Sequence, residues 1–200
     1  MPNWCTTDMI VNSDEQKIHK LYNLISDWVN TSNSLLLNIV IKSGIDECDQ
    51  NGNFKNGTEC RGTLCDFYEF DDGFLHLQFE NAWEPMFGMW FKIFDKYLGE
   101  YNIEYRSEEP GSSFFATNID TLVDKYSINV FEKFEDDEGK TIISYNDEGD
   151  YYSSDLEDYL RRILNSKSKK IETLLEEVND RYSDYIYIFK WEYIDPIEFY

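Results

Sequence analysis

Histidine is scarce in this 200-residue chain, which contains only His19 and His76. Two histidines make a Ser-His-Asp or Cys-His catalytic set hard to assemble, and no glycine-rich phosphate-binding loop is present. A zinc site requires closely spaced cysteine or histidine pairs, and the interval from Cys60 to Cys65 is a poor match for one. These absences argue against nucleophilic catalysis and against a structural zinc ion.

Long apolar runs are also missing. No stretch approaches the roughly 18 apolar residues that a membrane-spanning helix needs. The segment from Met1 to Ile10 has neither the basic region nor the apolar run of an export signal. We therefore expect a cytoplasmic protein that does not contact membranes. In that compartment its cysteines would be reduced thiols, at Cys5, Cys48, Cys60 and Cys65.

Basic side chains are few compared with acidic ones. The chain has 18 lysines and arginines against 40 aspartates and glutamates, which gives a formal net charge of −22. Such a surface repels nucleic acid and favours encounters with basic proteins. Hydrophobic residues make up 42% and aromatic residues 17% of the chain, too many for a disordered acidic tail. The composition predicts a folded acidic protein that does not bind nucleic acid directly.

The N-terminal half alternates strand-like and helical patterns. Ser13 and Gln16 form a capping-box pattern that predicts a helix start. The apolar run 35–41 favours a buried strand but is too short to exclude a helix. The predicted elements are a strand at 6–11, a helix after Ser13, the run 35–41, an exposed loop at 42–61, a hairpin at 62–70 and 74–81 whose turn holds Asp71, Asp72 and Gly73, a helix from Pro85 to Gly99, and a strand at 102–107. This is a ferredoxin-like order with an insertion.

In the C-terminal half, strand-like segments at 113–118, 128–135 and 141–145 are expected to extend the sheet. An apolar stripe after the capping-box pair Ser154 and Glu157 favours one long helix from Asp155 to about Tyr182, followed by a strand at 185–193. The predicted fold class is α+β, a ferredoxin-like β-α-β-β-α-β core with an extended antiparallel sheet and a long C-terminal helix. The predicted domains are 1–118 and 119–200, with the second packed on the same sheet.

Four short segments together resemble one known family. They are Met-Pro-Asn-Trp-Cys at 1–5, Gly-Thr at 62–63, Phe-Glu-Asn-Ala-Trp-Glu-Pro at 79–85, and Tyr105 with Glu-Glu-Pro-Gly at 108–111. Their combination resembles the YubB-like ferredoxin-like family over about Met1 to Ala116. The resemblance implies the same β-α-β-β-α-β core and an origin on phages, plasmids or integrated elements. That family has no established catalytic residues to transfer to this chain.

The residues within the resemblance have two interpretations. Three of them are large apolar side chains that would hold a sheet to its helices, namely Trp4, Phe79 and Trp83. The alternative is that four of them line a shared cleft, namely Trp83, Glu84, Tyr105 and Glu108.

Carboxylates in the second half form the predicted partner-binding surface, exposed near one end of a common hairpin. They are Glu135, Asp136, Asp137, Glu138, Asp147, Glu148 and Asp150. Carboxylates on a folded scaffold imitate phosphates and occupy a basic nucleic-acid channel of another protein. With the mobile-element origin that the resemblance implies, this favours an interaction protein that inhibits a host defence complex, as anti-CRISPR and anti-restriction proteins do. The expected partner is a basic host protein or nucleoprotein effector, with no cofactor, metal or catalytic residue.

The alternative function is a small metal-dependent hydrolase. Its acidic active cleft would lie on the side of Trp83 and Glu108. Carboxylates are abundant enough in the chain to supply ligands for divalent ions.

Overall fold

The structure is a computed structural model that describes residues 3–49, 53–70, 73–166 and 170–199. The chain divides into two compact units: the first comprises Met1–Ile119 and Ile194–Tyr200, and the second comprises Asp120–Tyr193. The first unit contains β1 (Trp4–Asn12), α1 (Glu15–Ser32), α2 (Leu36–Ser43), β2 (Gly62–Phe70), β3 (Phe74–Ala82), α3 (Phe87–Tyr97), β4 (Asn102–Glu109) and β5 (Phe114–Thr117). The second contains β6 (Tyr126–Val130), β7 (Phe134–Glu135), β8 (Thr141–Ile143), β9 (Gly149–Tyr151), α4 (Ser153–Leu164), α5 (Ile171–Tyr182), β10 (Ile186–Lys190) and β11 (Glu192–Tyr193).

The first unit is built on an antiparallel sheet. The strands of this unit lie in the largest sheet of the structure, in the order β5-β4-β1-β3-β2. Odd-numbered residues of β1 and β3, such as Met9 and Leu77, are fully buried in the core with residues of α1 and α3. Because side chains alternate along a strand, the even-numbered residues lie on the opposite face, which we call the outer sheet face.

Helix α1 follows its predicted amphipathic pattern, and its buried residues are Ile18, Leu21, Ile25 and Trp28. Its N-terminal cap lies one residue beyond the predicted one. The Asp14 carboxylate accepts a hydrogen bond from the Lys17 amide at 3.2 Å, which satisfies one of the free N–H groups of the first turn.

The apolar run 35–41 forms most of helix α2 and not the favoured strand. Leu36, Ile39 and Val40 are fully buried, and their spacing of three and four residues matches one face of a helix. The helix ends at Gly44, whose φ of 65° is the left-handed conformation that glycine adopts without a Cβ penalty.

The predicted hairpin forms from β2 and β3, which pair in antiparallel register. Gly62, the first residue of β2, lies close to β3. A Cβ added to Gly62 would lie 1.8 Å from the carbonyl oxygen of Glu80. Only glycine fits at that position. Asp71 and Asp72, predicted for the turn, lie outside the described residues.

The structure is α+β, but the predicted fold within that class is wrong, namely a ferredoxin-like core with an extended sheet and one long C-terminal helix. A simple ferredoxin-like core has four strands, whereas the largest sheet here has six. Within the second unit, β10, β6 and β9 form a three-stranded sheet, and β7 and β8 form a two-stranded one. The single long C-terminal helix is replaced by α4 and α5.

The break between these helices has a local cause. Helix α4 ends at Leu164, and Asn165 adopts the left-handed conformation, with a φ of 50°. Helix α5 begins at Ile171, and residues 167–169 lie outside the described residues. The apolar stripe continues across the break because both helices bury it in one core cluster. The periodicity of apolar residues indicates which residues are buried, but it does not indicate whether the helix is continuous.

We expect Trp28→Ala to destabilise the protein by about 3–5 kcal/mol. Trp28 is only 6% exposed and its ring centroid lies 5.8 Å from that of Tyr97, so truncation leaves a cavity in the core. Chemical denaturation measures the change in the free energy of unfolding. The matched control is Trp4→Ala, because Trp4 is 46% exposed at the end of β1. Equal losses for the two variants would contradict this account of the core.

Candidate interaction surfaces

The β7–β8 hairpin carries four of the predicted partner-binding carboxylates. Asp136 organises the turn, since its Oδ1 atom accepts hydrogen bonds from the amides of Glu138 at 3.1 Å and Lys140 at 2.8 Å. Glu135 pairs with Lys133, whose hydrogen bond lowers the pKa of that carboxyl. The exposed side chains of Asp137 and Glu138 form no hydrogen bond or ion pair within the described residues. These two carboxylates are therefore available to a partner.

The other three predicted carboxylates make bonds within the second unit. Asp147 accepts a hydrogen bond from the Ser144 amide at 2.8 Å and pairs with Arg162 at 3.2 Å. The carboxylate of Glu148 accepts a hydrogen bond from the Val130 amide at 3.1 Å. Asp150, on β9, accepts one from the hydroxyl of Ser127 on β6. Strand β9 belongs to a different sheet from β7 and β8, so the seven carboxylates do not share one hairpin.

The four residues predicted to line a cleft do not meet in one cavity. Tyr105 is fully buried, with its ring centroid 4.8 Å from that of Phe87 and its hydroxyl donating to the Ile194 carbonyl at 2.8 Å. Trp83 is exposed, and its amide donates to the Asn3 carbonyl at 2.9 Å. Glu84 is exposed and lines a cavity, whereas Glu108 lies on the outer sheet face.

The cavity beside Glu84 has a volume of about 390 Å³, and two of its lining residues, Thr58 and Lys92, belong to a series of hydrogen bonds that leads to Asp46. Its walls include the side chains of Glu59, Glu84, Lys92 and Glu198. Lys92 Nζ donates to the Thr58 hydroxyl at 2.7 Å, and that hydroxyl donates to Asp46 at 2.7 Å.

Asp46 is the buried end of that series of hydrogen bonds. Burial raises its pKa, but the hydrogen bond from Thr58 and those from backbone amides, including the Asn56 amide at 3.1 Å, outweigh this effect and bring the pKa below its usual value. The carboxylate therefore stays ionised and orders the loop around it. Sequence analysis missed this arrangement because an aspartate in a polar loop carries no distinctive pattern.

The outer sheet face holds a polar network centred on Asp8. Its Oδ2 atom lies 3.2 Å from Nε of Arg106, and its Oδ1 atom lies 3.3 Å from Nε2 of His76 and from the amide nitrogen of Gln78. These partners come from β3 and β4, on either side of β1. The arginine of the network is thus already paired with a carboxylate.

Beside this network, the outer sheet face carries a cluster of rings. Tyr68 has its ring centroid 4.6 Å from that of Phe70 and 4.5 Å from that of His76. Phe74 lies opposite Phe70 in the β2–β3 register, on the same face. We call Tyr68, Phe70, Phe74 and His76 the ring cluster. Its sequence signal is the two-residue spacing of Tyr68 with Phe70 and of Phe74 with His76, which places each pair on one face of its strand.

Glu108 lies on the outer sheet face, opposite Thr6 of β1. Burial raises the pKa of this carboxyl, the attraction of Arg106 lowers it, and the negative charge of Asp8 raises it again. The net effect is a pKa above the usual value, so the ionised form is disfavoured in the folded protein.

Two kinds of feature are absent from the described part of the chain. Its His, Cys, Asp and Glu side chains form no group of three or more that could hold a metal ion. None of its helices combines the length and the apolar character needed to cross a membrane.

No protein-family model matches the chain, and neither a curated protein nor a solved structure matches it.

We expect Glu108→Gln to raise the melting temperature near pH 7. Because the pKa of Glu108 is raised in the folded state, folding is favoured when this carboxyl is protonated and is opposed as the pH rises through its folded pKa. Glutamine removes that cost, which we place below about 1 kcal/mol since the side chain is partly solvated. The difference should vanish at about pH 3, where glutamate is neutral in both states.

Thermal unfolding followed by circular dichroism measures this effect at both pH values. The matched control is Glu104→Gln, which changes an exposed glutamate on the same face of β4. A lower melting temperature for Glu108→Gln than for the unaltered chain near pH 7, with no difference at about pH 3, would show that the carboxylate stabilises the fold and would contradict this account.

Proposed function

We propose that this chain is an acidic interaction protein that binds a basic partner and occupies a surface to which nucleic acid would otherwise bind. The observation that carries the proposal is the set of ion pairs and hydrogen bonds that the basic side chains form within the chain. Many of them are already held by acceptors of the same chain, which leaves a surplus of carboxylates at the surface.

Ion pairs account for much of this bonding. Within the described residues they join Lys55 to Glu47, Arg106 to Asp8, Lys133 to Glu135, Arg161 to Glu157, Arg162 to Asp147, Arg181 to Glu177 and Lys190 to Asp124. Two further lysines donate to carbonyl oxygens, Lys17 to that of Leu98 and Lys96 to that of Ser43. Because acidic residues outnumber basic ones by 40 to 18, most carboxylates have no basic partner in the chain.

Surplus carboxylates favour a basic partner for two physical reasons. They accept charge-assisted hydrogen bonds from lysine and arginine, as phosphate oxygens do. Their summed field also speeds the encounter with a positive surface. Asp137 and Glu138 suit this role because they are exposed at a hairpin turn that Asp136 holds in shape. A turn ordered by its own hydrogen bonds loses little conformational freedom on binding.

The identity of the partner is a further part of the proposal. The resemblance to YubB-like proteins favours a nucleoprotein effector of host defence, such as a restriction or CRISPR complex. This choice rests on the residues quoted for the resemblance. The affinity for basic surfaces rests on the charge and the bonding described above, and is tested separately.

The proposal predicts that the full chain displaces DNA from a basic protein. The probe is a fluorescent DNA duplex bound to protamine, and fluorescence anisotropy reports the release of the duplex. We expect release at low ionic strength and its suppression by added salt. Polyglutamate at the same carboxylate concentration is the positive control, because a polyanion without basic residues is expected to release the duplex. No release, or direct binding of the duplex by the chain, would overturn the proposal.

The contribution of the hairpin is tested with Asp137→Asn/Glu138→Gln. We expect this double variant to fold normally, since solvated like charges add little stability. Its association with protamine should slow by about two- to fivefold and depend less on salt. The matched control is Asp27→Asn/Glu100→Gln, which removes the same charge from exposed positions in the first unit. Equal effects of the two double variants would show that net charge alone matters and would remove the hairpin from the interface.

A further inference from the structure

The outer sheet face combines exposed rings with carboxylates, and we propose that it binds arginine side chains of a basic partner segment. This inference rests on the proposed function and narrows it, because it distinguishes arginine from lysine. The binding surface consists of the ring cluster and the acidic residues of the same face.

The ring cluster is exposed at one edge of the five strands. Tyr68 is 40% exposed, Phe70 is 41% exposed and Phe74 is 37% exposed. Tyr68 and Phe70 belong to β2, the edge strand of the sheet. Tyr68 lies directly opposite His76 in the register, which explains why their rings are in contact. Exposed aromatic rings held against each other in this way form a rigid apolar surface.

Carboxylates lie beside this surface on the same face, on β2 and on the strands next to it. Asp66 precedes Tyr68 by two residues on β2, a separation of about 7 Å along a strand. Glu104 on β4 lies opposite Ile10 on β1, and Ile10 lies opposite His76 on β3. Glu104 is therefore two strands away from His76, a distance of about 10 Å. Acidic residues of this face outnumber the single arginine, Arg106, which is already paired with Asp8. The acidic members are Asp8, Asp66, Glu80, Glu104 and Glu108.

Arginine fits this surface better than lysine does. Its guanidinium group is planar and weakly hydrated, so it stacks on an aromatic ring while its N–H groups reach carboxylates. A lysine ammonium is compact and strongly hydrated, and it interacts with the carboxylates without stacking. Exposed rings also stack with the bases of single-stranded nucleic acid, but the surrounding carboxylates repel its phosphates. Charge complementarity therefore selects a basic peptide segment as the occupant.

The inference is tested on the full chain with two labelled peptides, one of alternating arginine and glycine and the other of alternating lysine and glycine. Fluorescence anisotropy gives the two dissociation constants. We expect the arginine peptide to bind roughly two- to fivefold more tightly for each guanidinium that stacks on a ring. In NMR spectra, the ring-proton signals of His76 should shift with the arginine peptide and remain unchanged with the lysine peptide.

The variants Tyr68→Leu and Phe70→Leu remove a ring and keep an apolar side chain. We expect each to weaken binding of the arginine peptide towards the affinity of the lysine peptide and to leave lysine binding unchanged. Tyr145→Leu is the matched control, since Tyr145 is an exposed tyrosine of the second unit. Thermal unfolding checks that the variants fold, and the NMR comparison on the unaltered chain stands if they do not.

The outcomes separate this inference from the proposed function. If neither peptide binds, the proposed function itself fails. If both bind with equal affinity, or if Tyr68→Leu and Tyr145→Leu have the same effect, the arginine inference fails and the proposed function stands. If a single-stranded oligonucleotide binds at the ring cluster in place of the arginine peptide, the face is a stacking surface for bases and the inference is overturned.

Discussion

The alternation of side chains along β1 is the constraint on which the first unit depends. This strand pairs with β3 on one side and β4 on the other, so its register determines which residues of three strands face the helices. On the covered face, Met9 and Val11 are fully buried, and the hydroxyls of Thr7 and Ser107 satisfy each other at 2.8 Å. The same register brings Asp8, His76 and Arg106 together on the opposite face. A slip by one residue would bury the network and expose the core.

The charge of the chain acts through the tertiary structure in two ways. Some carboxylates hold the fold together, as Asp46 does in its loop and Asp147 does between Ser144 and Arg162. Others, such as Asp137 and Glu138, remain solvated and unbonded within the described residues. A net charge of −22 is therefore not a uniform property of the surface. The proposed binding to basic partners depends on the second group, because the first is already engaged in the folded state.

The proposed function and the arginine inference place different demands on the molecule. Electrostatic attraction to a basic surface is long-ranged and tolerant of position, so solvated carboxylates at a turn are sufficient for it. Recognition of arginine requires rings and carboxylates at fixed separations. The paired strands β2 and β3 provide this, because cross-strand register fixes Tyr68 opposite His76 and Phe70 opposite Phe74. A rigid sheet is better suited to such recognition than a loop.

Local patterns in the sequence were sufficient to predict the amphipathic face of α1, the β2–β3 hairpin and the strong negative charge, because each depends on neighbouring residues or on composition alone. The break after Leu164 was missed because a left-handed Asn165 leaves the apolar periodicity intact. The different roles of Asp137 and Asp147 and the burial of Tyr105 were decided only by the tertiary structure. Each depends on residues far apart in the chain, such as Asp147 with Arg162 or Tyr105 with Ile194, and a single sequence does not show which distant side chains will meet.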